Sequence, residues 1–316
     1  MKKILLIMLC MPAALFAQLR KPEIAFTIPE KDLFPEGIAY DAASQSFFVS
    51  SIFKNKIVKI SAKGIVEDFV KSNADGIEQV LGMRVDYKGM LWACNNPPEH
   101  DSLKKYSNIH VYDVKRKALY KRYQISDGKS HLFNDLIIAG NGDVYVTDTN
   151  AGMLWVIKQG ANDIEAFTKP GSLPWANGIV LTPDEKTLLV CTGSGMGIAR
   201  VSIETKKVET FPVERYLILG MDGMYLYKNL LIGVQNTTFP EGILQMDLSD
   251  DVTRVTEVKF LAYDVPQFEI PTTGVVVGDY FYFIANSQMM HIVGQGGQVK
   301  DAQQLKDNFI MKIKLN

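Results

Sequence analysis

Apolar and polar residues alternate in short runs beyond residue 22, and the runs are rich in Val, Ile, Tyr and Phe. Turn-forming Gly, Asp, Asn and Pro separate them at intervals of about ten residues. The runs are too short and too β-branched for helices, and no long amphipathic helical window competes with them. The pattern predicts an all-β chain, with strands at Phe47–Ser51, Lys56–Ser61, Asp143–Asp148, Met153–Lys158, Thr187–Thr192 and Phe281–Ala285.

A larger unit recurs along the chain. It consists of a Gly-containing apolar strand, a turn, a second strand that ends in small or polar residues, and two more exposed strands. Successive first strands begin 44, 53, 43, 45 and 51 residues apart. Units of this length fit a four-stranded blade, so six of them predict a six-bladed β-propeller, with a β-sandwich carrying long insertions as the alternative. The segments Ile24–Ile28 and Phe309–Leu315 are expected to pair in the last blade and close the ring.

The first 17 residues follow a different pattern. Two lysines precede the apolar stretch Ile4–Phe16, and the tripeptide L-F-A stands before Gln18. A bilayer span needs about 20 apolar residues, so a cleaved signal peptide is predicted over residues 1–17. An uncleaved anchor and lipid attachment at Cys10 are the alternatives. Residues 18–316 are then expected to form a single propeller domain. The protein is expected to be exported, either periplasmic or secreted, with no membrane span after cleavage. Its oligomeric state is left open.

Composition narrows the classes of function. The chain has 316 residues, of which 47% are hydrophobic, and this is enough for a large packed core. Its 34 Lys and Arg against 35 Asp and Glu give a net charge of −1, so nucleic acid is not an expected partner. Three cysteines are too few for a disulfide scaffold. Cys94 and Cys191 fall on blades that do not touch, and both are expected to be free and buried.

Oxygen-bearing side chains recur at one position of the repeat, where the innermost strand of each unit begins. Four of the six units carry a carboxylate or carboxamide there, namely Glu36, Asn134, Asn177 and Asp222. In a propeller these positions converge on the central axis, and such a cluster is costly to bury without a cation. An all-oxygen donor set predicts a Ca²⁺ site, with Mg²⁺ or Mn²⁺ as alternatives. Taken singly, each residue also fits an ordinary turn or cap.

Four segments resemble a known family: F-P-E-G-I-A-Y-D (Phe34–Asp41), F-N-D-L-I-I-A-G-N-G-D-V-Y-V-T-D-T (Phe133–Thr149), A-N-G-I-V-L-T-P-D-E-K-T-L-L-V (Ala176–Val190) and G-M-D-G-M (Gly220–Met224). With them, the chain resembles the senescence marker protein/gluconolactonase/luciferin-regenerating enzyme family and the related paraoxonases and diisopropylfluorophosphatases. The resemblance implies a six-bladed propeller that holds calcium or a similar ion and hydrolyses lactones or organophosphates. It also implies that the four oxygen-bearing residues are metal ligands and that Asp222 is the catalytic base or nucleophile.

The chain departs from this family in two places that bear on the substrate. Leu81 stands where the paraoxonases have a histidine, which disfavours turnover of paraoxon and arylesters. The substrate-binding arginine of the gluconolactonases has no clear match, so sugar lactones are one candidate substrate among others. A second F-P-E-G-I occurs at Phe239–Ile243, but it falls between strands of blade five, and Glu241 is expected to be a turn residue.

Further polar and aromatic residues are expected to line the pocket and contact a small-molecule substrate. Most of them end a second strand or lie in a loop beside the channel mouth, where binding pockets combine apolar walls with a few polar anchors. These residues are Asn95, Asn96, Trp175, Asn236, Asn286 and His291. His110 and His131 are expected at the surface.

These patterns together predict an exported hydrolase of lactones or related small esters that depends on a divalent metal, similar to the gluconolactonases. The alternative is a non-catalytic propeller that binds a small ligand or a partner protein and keeps a structural metal. Propellers host both roles, so the fold by itself does not separate them.

Overall fold

The computed structural model describes residues 20–98, 101, 103–193, 197–214, 216–294 and 297–315. The predicted signal peptide and Cys10 lie outside these residues. The described part is almost entirely β-structure, as the alternating pattern predicts. Within it, no helix has the length and apolar character that crossing a membrane requires. Its helices are four single 3-10 turns: Lys31–Leu33, Ala74–Gly76, Met289–His291 and Ala302–Gln304.

Blades 1 to 3 are four-stranded antiparallel sheets in which consecutive strands pair from the axis outward. They follow strand β1 (Glu23–Ile28), which belongs to the last blade. Blade 1 contains β2 (Pro35–Asp41), β3 (Ser46–Ser51), β4 (Ile57–Ile60) and β5 (Val66–Val70). Blade 2 contains β6 (Gln79–Val85), β7 (Met90–Asn96), β8 (Ser107–Asp113) and β9 (Ala118–Ile125). Blade 3 contains β10 (Phe133–Ile138), β11 (Val144–Asp148), β12 (Met153–Ile157) and β13 (Glu165–Ala166).

Blades 4 and 5 repeat this arrangement, and blade 6 is built from both ends of the described chain. Blade 4 contains β14 (Ile179–Leu181), β15 (Thr187–Cys191), β16 (Ile198–Ser202) and β17 (Val208–Thr210). Blade 5 contains β18 (Met221–Tyr227), β19 (Leu230–Gln235), β20 (Gly242–Leu248) and β21 (Val255–Tyr263). The remaining strands are β22 (Gly274–Val277), β23 (Tyr280–Ile284), a separate hairpin of β24 (Ile292–Val293) and β25 (Gln298–Val299), and β26 (Asn308–Lys314).

The two ends of the described chain close the ring. Strand β1 pairs antiparallel with β26, with Ile28 opposite Asn308 and Glu23 opposite Lys312, and β26 pairs in turn with β23. The inner strands of successive blades contact one another around the whole ring. The ring is closed at β2, which packs against β6 of blade 2 on one side and against β22 of blade 6 on the other. The prediction of a six-bladed β-propeller is therefore confirmed, including the pairing of the terminal strands.

Large apolar clusters fill the spaces between adjacent blades. One joins the sheets of blades 2 and 3 around Ile109, Phe133 and Val146, and comparable clusters lie between the other neighbours. Cys94 and Cys191 are buried and unpaired, as predicted. Burial of apolar surface thus holds the blades together around the axis.

The inner strands approach the axis so closely that glycine is needed there. We call the residues at the start of the inner strands the axial positions, and five of the six are followed by glycine. A Cβ atom at Gly178 would lie 2.5 Å from the carbonyl oxygen of Asp222 on the next blade, and one at Gly82 would lie 2.5 Å from that of Asn134. The axial positions are Glu36, Leu81, Asn134, Asn177, Asp222 and Thr273.

His131 fixes the loop that leads into β10, and it is buried rather than at the surface. Its Nδ1 lies 2.6 Å from Oδ2 of Asp148 and its Nε2 lies 2.9 Å from Oδ1 of Asp127. Burial opposes the charged imidazolium, but the hydrogen bonds to both carboxylates prevail and raise the pKa of His131. The surface prediction is also wrong for His110, which is fully buried on β8 and whose pKa burial lowers to about 4.

Gly82→Ala tests the close approach of the inner strands. The new Cβ would overlap backbone atoms of Asn134 and Asp135, so we expect the free energy of unfolding to fall by about 1–3 kcal/mol. In the control Gly140→Ala the nearest atom is Oε1 of the exposed Glu185, which can move away. Urea unfolding of both variants measures the difference, and equal stabilities would contradict the steric explanation.

His131→Gln tests the bridge between the two carboxylates. A raised pKa means that the folded state holds the proton more tightly, so the stabilisation is complete below the ordinary value of 6.5 and is lost as the pH rises through the folded value. We expect the wild type to exceed the variant by about 1–3 kcal/mol in unfolding free energy near pH 6, and by less at pH 9. A difference that stays constant or grows over this range in urea titrations would refute the bridge.

Candidate functional site

The four predicted ligands lie at the same end of their inner strands, on one face of the propeller that we call the entry face. Glu36, Asn134 and Asp222 are the second residues of β2, β10 and β18, and Asn177 lies two residues before β14. In each of these three strands, the register with the neighbouring strand shifts within the short segment that contains the predicted ligand. Such an irregularity removes a residue from the regular ladder and turns its side chain. The local backbone thus directs these side chains toward the axis.

Three of these side chains carry a buried oxygen with no hydrogen-bond partner. The atoms are Oε2 of Glu36, Oδ1 of Asn134 and Oδ1 of Asn177, and they come from blades 1, 3 and 4. A buried oxygen without a donor loses its hydration and gains nothing in return, which costs about 1–3 kcal/mol each. Three such oxygens at one end of the axis are therefore suited to a bound cation.

The two carboxylates of the set influence each other's protonation. Burial raises the pKa of Asp222 to about 7, although hydrogen bonds from Asn236 and Asn177 act in the opposite direction. Burial raises the pKa of Glu36 well above its usual range, and repulsion from Asp222 and Asp135 adds to this effect. The protein alone thus disfavours two charged carboxylates here, and a cation between them would favour the charged forms.

Hydrogen bonds fix the orientation of two of the predicted ligand side chains. The amide nitrogen of Asn134 donates to Oγ1 of Thr149 at 3.0 Å, and that hydroxyl donates to the carbonyl oxygen of Ala176 at 2.6 Å. The amide of Asn236 donates to Oδ2 of Asp222 at 2.7 Å and to the carbonyl oxygen of Pro271 at 2.9 Å. Asn236, predicted to contact substrate, therefore holds a predicted ligand in place.

Asn96 positions the segment that carries Asn134. Its Oδ1 accepts a hydrogen bond from the backbone nitrogen of Phe133 at 2.8 Å, and its Nδ2 donates to the carbonyl oxygen of the same residue at 2.9 Å. Asn96 is almost completely buried. Its side chain thus acts on the backbone next to a ligand.

Three other predicted substrate contacts make their hydrogen bonds inside their own blades. Asn95 donates to Oδ1 of Asn108 and accepts from the backbone of Glu78, and Asn286 bonds to the backbone on both sides of Asn308. Nε2 of His291 lies 3.3 Å from Oε1 of Glu269. The structure does not join these three side chains to the four predicted ligands, and their contact with a substrate stays a prediction.

Trp175 is the one predicted pocket residue with a largely exposed side chain, at 68%. It adopts a positive φ of 58° two residues before Asn177, and its Cβ packs against Gly193. The residue therefore presents apolar surface on the entry face, beside a predicted ligand.

A buried ion pair below the ligands was not predicted. Nη2 of Arg84 donates to Oδ2 of Asp135 at 2.9 Å, and the guanidinium carbon lies 5.1 Å from the ring centre of Tyr225. The sequence held one signal for it, because Asp135 follows an axial position where the other five blades have glycine.

The donor set determines which cations fit. Two carboxylates and two amide oxygens suit hard ions such as Ca²⁺, Mg²⁺ and Mn²⁺. Among the described residues, no group of three or more His, Cys, Asp and Glu side chains is placed to hold a metal. A cation held here would thus depend on the amide oxygens of Asn134 and Asn177 as well as on the carboxylates.

Two surface cavities lie away from these oxygens. Their volumes are about 560 and 770 Å³, and both include the β6–β7 turn at Asp86, Tyr87 and Lys88. This turn lies opposite the entry face, since β6 ends there. Neither cavity contains a predicted site residue, so the candidate site is identified by its side-chain chemistry.

Comparisons with known proteins were made by sequence and by structure. No protein-family model matches the chain, and no curated protein matches it in sequence. Among solved structures, the major allergen Mala s 1 of Malassezia sympodialis gives a TM-score of 0.69 at 16% identity, covering 91% of this chain and 95% of that one. A gluconolactonase of Xanthomonas campestris gives 0.64 at 16% identity over 96% and 93%. A luciferin-regenerating enzyme gives 0.61 at 12% identity over 93% and 95%.

These similarities concern the fold. The matches cover almost the whole of each chain, while the sequence identities are too low to transfer an activity. They include a gluconolactonase and a luciferin-regenerating enzyme, the two kinds of protein that the sequence segments resemble. The resemblance seen in the sequence is thus confirmed at the level of the six-bladed propeller.

Proposed function

We propose that this protein is a hydrolase of lactones or related small esters that depends on a divalent cation, Ca²⁺ rather than Mg²⁺ or Mn²⁺. The observation that carries the proposal is the set of three buried, unpartnered oxygens on Glu36, Asn134 and Asn177 beside the carboxylate of Asp222. The gluconolactonase among the structural neighbours supports the same substrate class.

The site combines groups suited to ester hydrolysis. A bound cation would polarise the ester carbonyl and stabilise the oxyanion that forms when water attacks. Asp222 is the group assigned to accept the proton of that water, and Asn236 holds its carboxylate through Oδ2. Asn134 and Asn177 present amide oxygens from two further blades, and Trp175 offers an apolar surface against which a small ring can pack.

Asp222→Asn tests the assigned base. We expect turnover of every accepted lactone to fall by at least about 100-fold, because the amide accepts no proton from water and carries no charge for the cation. Purified protein is assayed on a panel of small lactones with Ca²⁺, with Mg²⁺ or Mn²⁺, and after chelation, while circular dichroism confirms the fold. Turnover that survives the substitution would exclude this mechanism, and cation binding without turnover of any lactone would favour the alternative of a binding propeller.

A matched pair of glutamate variants tests the cation site. Glu36 and Glu241 both stand in F-P-E-G-I, but Glu241 does not hold an axial position, and its Oε1 accepts a hydrogen bond from the backbone of Ile270. We expect Ca²⁺ to raise the melting temperature of the wild type and of Glu241→Gln, and to have little effect on Glu36→Gln. Equal responses of the two variants in thermal unfolding would exclude Glu36 as a ligand.

We also propose that the protein is exported, on the basis of residues 1–17. N-terminal sequencing of the protein recovered from a secreting host tests this proposal. Cleavage before Gln18 is the expected result, and an intact Met1 would contradict it.

A further inference from the structure

The side chain of Arg84 lies on the propeller axis. Arg84 is on the inner strand of blade 2, whereas Tyr225, over whose ring its guanidinium stacks at 5.1 Å, is on the inner strand of blade 5. Blades 2 and 5 face each other in a ring of six, so this contact crosses the centre. Nη1 of Arg84 donates to the carbonyl oxygen of Met83 at 3.0 Å. The hydroxyl oxygen of Tyr225 accepts a hydrogen bond from the backbone nitrogen of Gly274 on blade 6.

Asp135 brings a third carboxylate to the same region. It stands where five blades have glycine, and a Cβ atom added at Gly82 would lie 2.7 Å from its Oδ1. Its Oδ2 accepts the 2.9 Å hydrogen bond from Arg84, and only about 1% of its side chain is exposed. At this one position of the repeat, a buried charged residue therefore replaces glycine.

The buried charges near the axis do not balance. Glu36, Asp135 and Asp222 influence one another electrostatically, and when ionised they carry three negative charges against the single positive charge of Arg84. The remainder of two negative charges equals the charge of one divalent cation.

We propose that Arg84 is a built-in counter-cation that limits the axis to a single divalent ion. This inference rests on the cation site of the proposed function. The guanidinium occupies the space beside Asp135 and neutralises it, so a second ion has neither room nor unpaired charge there. Without Arg84, the buried carboxylate of Asp135 would keep the hydrogen bond from the backbone nitrogen of Leu136 but lose its positively charged partner, a state that is costly to maintain and that attracts another cation.

Four variants separate charge from packing. Arg84→Met removes the positive charge while it keeps most of the apolar stem. Arg84→Lys keeps the charge and is the matched control. Asp135→Asn removes one negative charge, and the double variant Arg84→Met with Asp135→Asn restores the remainder of two negative charges without any buried ion pair. The double variant is expected to fold even where Arg84→Met alone does not, because position 135 then carries no charge that needs a partner.

The experiment measures bound Ca²⁺ per chain by equilibrium dialysis, and Ca²⁺ affinity by titration calorimetry, on the purified full chain. We expect one ion for the wild type, Arg84→Lys and the double variant, with the double variant within a few-fold of wild-type affinity. Arg84→Met is expected to bind two ions, and Asp135→Asn to bind its ion at least about tenfold more weakly.

Two outcomes would overturn the inference: a second ion in the wild type or in the double variant, and wild-type affinity in Asp135→Asn. One ion in a folded Arg84→Met would overturn it as well. Failure of the proposed cation site is distinguishable from these, since the wild type would then bind no Ca²⁺ at all.

Discussion

The contact between inner strands at the axis is the constraint on which the other features depend. Glycine after the axial positions lets the backbone of one blade touch that of the next, as at Gly82 and Gly178. Six strand ends therefore meet within a small volume. Polar side chains at these ends have few partners except one another, and the chemistry of the site follows from that shortage.

The shortage of partners is met in different ways within this volume. Asn134 satisfies its nitrogen on Thr149 and leaves its oxygen unpaired. Both oxygens of Asp135, the next residue, are bonded, Oδ2 to Arg84 and Oδ1 to the backbone nitrogen of Leu136. The unpaired groups lie toward the entry face, and the paired ones lie deeper along the inner strands. The aromatic ring of Tyr225 and the guanidinium of Arg84 thus fill the axis behind the unpaired oxygens, on the side away from the entry face.

The repeat made the fold predictable, together with the placement of four oxygen-bearing side chains at one end of the axis, because the spacing of equivalent strands carries their register around the ring. Local patterns do not show which distant side chains meet. Arg84 lies in an alternating strand like many exposed residues, and only the ring of blades brings it to Tyr225. The residues around His131 have the composition of a surface loop, yet His131 is buried because it hydrogen-bonds to the buried carboxylate of Asp148 on β11. Asn96 was predicted in the loop after a strand, but it ends β7 and its partner is the backbone of Phe133 on the next blade.

The pairing of β1 with β26 makes completion of the fold a late event. Five blades form from strands that are close in the chain, so their hairpins can assemble early and rapidly. Blade 6 cannot, because Ile28 must find Asn308 after almost the whole chain has been made. Until then β1 and β26 keep open edges, which are prone to pair with other chains. A slow, aggregation-sensitive stage of folding therefore precedes ring closure. It ends when β1 and β26 pair and every blade has its four strands.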